Sequence, residues 1–325
     1  MTNSNLAPRA YAAAHFALEL HGIDQELGVF RSIEGGGLKC DVMTYQNAGN
    51  YERWRQLARP KFENIKLQLG MGCSEPFYKW IEEFFTGKGT RKNGAIVAAD
   101  FYYKERARRE FSEAMICELV FPTLNATDKN TAYMTVSLAV EDILFKKGDE
   151  GRELKQNKGY DTQKDWKACN FRFSLDGFDE ACKRVTKIES FTVKQNIIEY
   201  ASGGRRTVSK TPSVMEFPTV SFSLPEPDAQ PLLDHFKKRG VDGEVPGRLH
   251  GQLDTYDNTV GEENPKSHFM VEFINCDIIN AQPDKSDSST EEAKMVKFDM
   301  YVETMKFTYL NGSGTGMLDA GASKG

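Results

Sequence analysis

Apolar side chains recur at every second position in several separate stretches of this chain, the pattern of strands with one buried face. His15 to His21 places Phe16, Leu18 and Leu20 on one side and runs into a turn at Gly22. Leu27 to Ile33 and Lys39 to Tyr45 follow, joined by Glu34-Gly35-Gly36-Gly37. Glycine supplies positive φ without a Cβ clash, so a hairpin is expected here. A phosphate cradle is the weaker reading of the triple glycine, because no helix start follows it. Phe62 to Gly70 reads as another strand. The period then changes to that of a helix. Ser74-Glu75-Pro76 opens it, and Phe77, Trp80, Ile81, Phe84 and Phe85 form one broad face suited to core packing. After a basic turn at Lys88 to Asn93, strands are expected at Ala95 to Tyr103, Phe111 to Phe121 and Ala132 to Phe145. Lys104 to Glu110 reads as a charged hairpin turn or strand end.

One stretch fits neither period. Gln46 to Lys61, QNAGNYERWRQLARPK, reads as a long loop rich in arginine and carrying Tyr51 and Trp54. Long loops without secondary structure are usually functional, and exposed aromatics and arginines favour interfaces. The alternative is that Trp54 folds back onto its own core.

The pattern then repeats. Phe16-Ala-Leu-Glu-Leu-His-Gly-Ile-Asp24 aligns with Phe171-Arg-Phe-Ser-Leu-Asp-Gly-Phe-Asp179 at a shift of 155 (171 − 16). The same shift sets Ile33 on Ile188, Lys39 on Lys194, Tyr45 on Tyr200, Gly49 on Gly204, Phe62 on Phe217 and Leu69 on Leu224. Beyond the helix, Phe111 to Phe121 aligns with Phe269 to Ile279 at 158 (269 − 111), and Val136 to Phe145 with Phe298 to Phe307 at 162 (298 − 136). A register held through so many elements marks a duplicated domain.

The duplication sets expected boundaries: an arm at 1–14, a domain at 15–147, a polar linker at 148–166, a second domain at 167–310 and a flexible tail at 311–325. Strands are expected near 169–175, 183–191, 193–200, 216–224, 247–256, 268–281 and 294–310, with a helix near 228–239 capped by Asp228. Ala201 to Met215 reads as a basic loop containing Arg205 and Arg206. The acidic insertion Pro283 to Glu292 lacks the spacing of a calcium loop and reads as a surface hairpin. The fold class is therefore mainly β with one helix per domain (α+β), built as two tandem β-barrel or sandwich domains.

Composition narrows the function by exclusion. A net charge of -5 argues against a protein that coats nucleic acid, though not against a channel through which cargo passes. Cysteines 40, 73, 117, 169, 182 and 276 form no CxxC pair and read as buried thiols. The N-terminal stretch does not read as a signal peptide, and no apolar run approaches the roughly 18 residues of a membrane span. The five histidines form no HxH or HxxxH pair, and neither a nucleophile elbow nor a P-loop is present. No catalytic residue, cofactor or metal site is assigned on these grounds. Tyr51, Arg53, Trp54, Arg55 and Arg59, with Arg205 and Arg206 in the second copy, are the candidate subunit-interface residues.

The order of these segments resembles the tail tube proteins of contractile phages and related contractile injection systems. The residues that carry it are Phe16-Ala-Leu-Glu-Leu-His-Gly22, Phe30-Arg-Ser-Ile33, Asn64-Ile-Lys-Leu67, Phe77-Tyr-Lys-Trp80 and Arg91-Lys-Asn-Gly94. The resemblance covers 15–147 directly and 169–310 through the repeat. It implies a structural subunit rather than an enzyme, assembled in the bacterial cytoplasm into a virion or injection particle. Such subunits join strands with their neighbours around a lumen, which removes every open sheet edge. The usual subunit has one domain and forms sixfold rings. A doubled chain therefore allows either a trimer of pseudo-sixfold symmetry, the expectation favoured here, or a hexamer. Tube body, baseplate hub, tube initiator and cap adaptor all fit the resemblance. A monomeric β-rich ligand carrier and an enzyme with a dispersed site are the competing classes.

Overall fold

The computed structural model describes residues 15–23, 28–46, 51, 53–149, 151–154, 166–244, 247–256, 267–284 and 293–314. The expected arm at 1–14 lies outside them, as do most of the linker and of the 283–292 insertion, and the tail beyond Gly314.

The first half runs β1 (His15–Leu20), β2 (Gly28–Gly35), β3 (Leu38–Gln46), β4 (Arg53–Phe62), β5 (Ile65–Cys73), α1 (Glu75–Phe85), β6 (Lys92–Ala99), β7 (Glu105–Phe121), β8 (Leu124–Asn125), β9 (Met134–Ala139) and β10 (Asp142–Lys147). The second half runs β11 (Phe171–Leu175), α2 (Asp179–Cys182), β12 (Lys187–Ile188), β13 (Phe191–Tyr200), β14 (Ser209–Glu216), β15 (Val220–Pro225), α3 (Gln230–Gly240), β16 (Leu249–Tyr256), β17 (Ser267–Pro283) and β18 (Met295–Gly314). The chain is mainly β with one long helix in each half, as the sequence pattern indicates.

The repeat is visible in the backbone itself. Helices α1 and α3 are both 11 residues long and start 155 apart (230 − 75). Strands β7 and β17 are both 17 residues long and start 162 apart (267 − 105). Each carries one non-glycine residue at positive φ, Glu113 at 53° and Asn275 at 55°, again 162 apart (275 − 113). These fix the register of the long strands at 162 rather than the 158 that the apolar pattern alone suggests. Between these shifts, Gly94 in β6 and Gly251 in β16 stand 157 apart (251 − 94) and share one function. A Cβ on Gly94 would lie 2.2 Å from the Glu19 carbonyl of the edge strand, and one on Gly251 2.7 Å from Leu175. Both edge strands approach too closely for a side chain.

Several sequence expectations change. Within the stretch expected as a loop from Gln46 to Lys61, the described residues 53–61 are strand: 53–62 form β4, paired antiparallel to β3 with Tyr45 opposite Trp54. Ala201 to Met215 likewise contains β14, paired with β13 so that Tyr200 faces Ser209. The two hairpins share their register at 155 (200 − 45 and 209 − 54) and even their bulges, at Cys40/Val42 and Gln195/Ile197. The strand expected at 183–191 shrinks to the two-residue β12, set off from α2 by a turn at 183–184. Asp228 ends a short 3-10 turn and pairs with Arg184 at 3.4 Å, while Ala229 is the N-cap of α3. Of the two readings of Lys104 to Glu110, turn or strand end, the strand end holds: residues 105–110 open β7, where Glu105 is buried against Arg108 (2.9 Å) and its N–H donates to the Arg152 carbonyl at 2.9 Å.

The halves are joined by more than a linker. Strand β13 pairs with residues 118–121 of β7, extending the first half's sheet to nine strands, and β12 pairs with β8. One hydrophobic core draws residues from both halves. Phe121 stacks on Phe191 with centroids 4.6 Å apart, and Tyr78 of α1 stacks on Tyr309 of β18 at 4.2 Å. The Tyr78 hydroxyl lies 3.1 Å from His268 of β17, and burial raises its pKa well above the usual phenol value. In the linker, Arg152 pairs with Glu19, and Leu154 packs on Ala17, Ala95, Val97 and Ala99, on the opposite face of the sheet from the main core.

Candidate assembly surface

The hairpin β3–β4 stands out as a two-stranded sheet that no other strand among the described residues joins. Its side chains are exposed on both faces, including Leu38, Val42, Met43, Leu57 and Trp54, the last at 62%. A hairpin of this kind has marginal stability of its own and leaves backbone donors and acceptors open for pairing.

Its counterpart in the second half shows what such a hairpin does when covered. Gln195 of β13 is buried and donates to the Gly87 carbonyl at 3.1 Å. The Lys210 N–H of β14 donates to Glu141 at 2.7 Å, and Arg91 donates to the Lys210 carbonyl. Glu141 is only 6% exposed and has Arg91 at 3.5 Å and Arg205 at 3.7 Å. Burial lowers the Lys210 ammonium pKa, against the opposing pull of Glu199. Pro212 packs over Gly89, where an added Cβ would lie 2.4 Å away. The second hairpin thus seats on the first half through strand pairing, one buried ion cluster and a close approach at glycine.

The seven candidate residues divide between the two hairpins. Tyr51, Arg53, Trp54 and Arg55 lie at the far end of β3–β4, all exposed. Arg59 of β4 reaches the second hairpin's turn and donates to the Ser202 carbonyl at 3.2 Å. Arg205 faces Glu141, within the junction of the two halves, and Arg206 is exposed beside it. Sequence reasoning missed the seat on which the second hairpin rests, made by Gly87, Gly89, Arg91 and Glu141. None of those residues stands out in type or spacing.

The surroundings offer little that resembles reactive chemistry. Among the described residues, no group of three or more His, Cys, Asp or Glu is placed to hold a metal ion. Burial pushes the Cys117 thiol up to about 11 and those of Cys182 and Cys276 up to about 12, away from nucleophilic use. No described helix is long and apolar enough to cross a membrane.

Residues 12–144 match the model of the T4-like virus tail tube protein gp19 family. That match spans most of the first half of the chain, and the second half carries the same element order through the repeat. Among solved structures, the chain is similar to a chain of the PVC sheath-tube complex of an extracellular contractile injection system. That chain is 18% identical, with 42% of this chain and 92% of that chain covered and a TM-score of 0.37. A chain of the anti-feeding prophage cap is 16% identical over 45% of this chain and 98% of its own, with a TM-score of 0.38. The Hcp1 protein of E. coli EAEC 042 is 15% identical over 38% and 76%, with a TM-score of 0.24. No curated protein matches the chain.

Proposed function

We propose that this protein is a structural subunit of the inner tube of a contractile phage tail or contractile injection system, forming a ring around a lumen through which cargo passes. The reading rests on the family match of the first half and on one structural observation. Strand β13 of the second half extends the sheet of the first half instead of leaving a gap between two beads. Neighbouring tail tube domains that share a sheet side by side belong to one ring wall. Two domains stacked in successive layers would not need that pairing.

If each half supplies one sixth of the wall, three chains close a ring of pseudo-sixfold symmetry. The alternation of two unlike hairpins around such a ring also fits a junction component, such as a hub, initiator or cap adaptor. Size-exclusion chromatography with light scattering tests the assembly. At 36.6 kDa per chain, a three-chain ring has a mass of about 110 kDa (3 × 36.6), and stacked rings have multiples of it. A chain that stays monomeric at high concentration contradicts the reading.

A further inference from the structure

We infer that the junction between the two halves of one chain is repeated between chains: hairpin β3–β4 of one copy seats on the open edge of β17 in the next, at residues Asn280 to Pro283. This rests on the ring reading above and names the surfaces that close the ring. Three independent features of the molecule lead to it.

The first is the unpaired edge. In β7, the side vacated by β6 beyond Ala114 is taken by β13, with Phe191 opposite Phe121, Thr192 opposite Val120, Val193 opposite Leu119 and Lys194 opposite Glu118. In β17, β16 likewise ends opposite Cys276, but no strand among the described residues takes the edge beyond it. Among the described residues, 280–283 pair only with β18, on the other side. Subtracting 155 from the β13 positions and adding 162 to those of β7 gives the missing pairs: Gly36 with Pro283, Gly37 with Gln282, Leu38 with Ala281, and Lys39 with Asn280. The strand that would make them, β3, belongs to the one hairpin left without a sheet.

The second is the ion cluster under the hairpin. Arg91 and Glu141 have their equivalents in Arg248 (91 + 157) and Glu303 (141 + 162), which pair at 2.6 Å. The pair is conserved between the halves, but its cover is not. Glu141 is 6% exposed beneath β14, and the Glu303 side chain is 40% exposed. The residue that covers Glu141, Lys210, corresponds to Arg55 (210 − 155). Seating the free hairpin places the Arg55 N–H over Glu303 and the Arg55 carbonyl over Arg248, which supplies the same two hydrogen bonds.

The third is a phenylalanine. Phe307 of β18 is 2% exposed, set against Phe85 and Tyr78 of α1 with centroids 5.9 and 6.5 Å away. Its equivalent, Phe145 of β10 (307 − 162), is 59% exposed. The α1 positions correspond to Leu233 (78 + 155) and Gly240 (85 + 155) on α3. A first half seated on the next chain's second half brings Phe145 to α3, where Leu233 is half-buried and Gly240 leaves space. Hairpin and phenylalanine come from the first half, and the open edge, ion pair and helix that receive them come from the second, so the contact is head to tail and propagates to closure.

Disulfide trapping reads the register directly. In a Cys40→Ser background, the pair Lys39→Cys and Asn280→Cys places two thiols on directly opposed strand positions, with Cα atoms about 4.5–5.5 Å apart and within disulfide reach. Mild oxidation of the assembled full chain should give a ladder of cross-linked chains ending in a covalently closed ring. Each single variant, and the off-register pair Lys39→Cys with Gln282→Cys, should give little. Hydrogen exchange on the unmodified chain gives a second measure, free of substitutions: the amides of 280–282 should slow at least tenfold on assembly. Rings that form without the 39–280 link and without slowed exchange at 280–282 overturn this inference and leave the ring reading standing. A chain that never assembles overturns both.

Discussion

Phe307 and Phe145 occupy the same position in the two halves, one inside the chain's core and one outside it, so a matched pair of substitutions separates folding from assembly. The Phe307 ring is ringed by Tyr78, Phe85, Phe121 and Phe269, with the nearest centroid, that of Phe269, at 5.2 Å. Three of these four belong to the first half of the chain. Phe307→Ala therefore removes a fully buried aromatic and leaves a cavity at the seam, a loss of about 3–5 kcal/mol. With a urea slope of about 3 kcal/mol/M for a chain of this size, the unfolding midpoint falls by about 1–1.7 M. Phe145 is more than half exposed, so Phe145→Ala costs the isolated chain about 1 kcal/mol or less. Urea unfolding followed by circular dichroism, at a concentration below assembly, measures both. The shared core also predicts that Phe307→Ala lowers one common transition for the two halves. A midpoint shift under about 0.3 M for Phe307→Ala, or an early transition confined to the second half, would refute the shared core. Phe145→Ala should melt like the unmodified chain and yet fail to form rings.

Trp54→Ala with Arg55→Ala should leave monomer stability within about 0.5 kcal/mol and abolish assembly, measured by melting and light scattering; a loss of folding instead would place Trp54 in the core. At pH 8 an alkylating reagent should label Cys40 and Cys169 and spare Cys117, Cys182 and Cys276, whose pKa values lie at about 11, 12 and 12. Cys40, the counterpart of buried Gln195, should become protected on assembly, which mass spectrometry of the labelled peptides would show. Hydrogen bonds from Ser221 (2.6 Å) and Asn280 (2.9 Å) hold the Asp299 carboxyl below its ordinary value of 3.8. Its folded pKa lies below the unfolded one, so its contribution is present above the unfolded value and is lost as pH falls through the folded one. Asp299→Asn should flatten the stability profile below about pH 4 relative to the unmodified chain, and an unchanged acid limb would contradict this.

The strands that bury one face were legible because burial writes a period of two into them. Leu18 and Leu20 point to the main core while Ala17 and Glu19 point away, and α1 shows its helical face equally well. Strand β4 was not legible for the same physical reason. In the single chain RWRQLARPKF buries neither face, so nothing in its sequence alternates. β14 lies on the first half through its backbone and a few contacts, and its SKTPSVME shows no clear pattern either. The true register of β17 against β7 was hidden by insertions between helix and strand and became plain only from the bulged residues Glu113 and Asn275, whose positive φ no side-chain pattern announces. The charged opening of β7 left turn and strand end both open, because Glu105 is buried by pairing with Arg108 and the linker's Arg152, partners distant in sequence or unremarkable in type. The candidate hairpin residues are singled out by their aromatic and arginine content, which the sequence shows directly. The seat that receives them is not singled out, since glycines and a lone ion pair acquire meaning only when the two halves are superposed in sequence number.

Cryo-electron microscopy of the assembled particle, with chains counted around one ring, tests the central claim most directly. The account predicts three chains supplying six tail tube domains in one continuous wall, in which every second junction lies within a chain and the others repeat its register. Six chains around a ring, with the two halves of each chain in separate stacked layers, would contradict it.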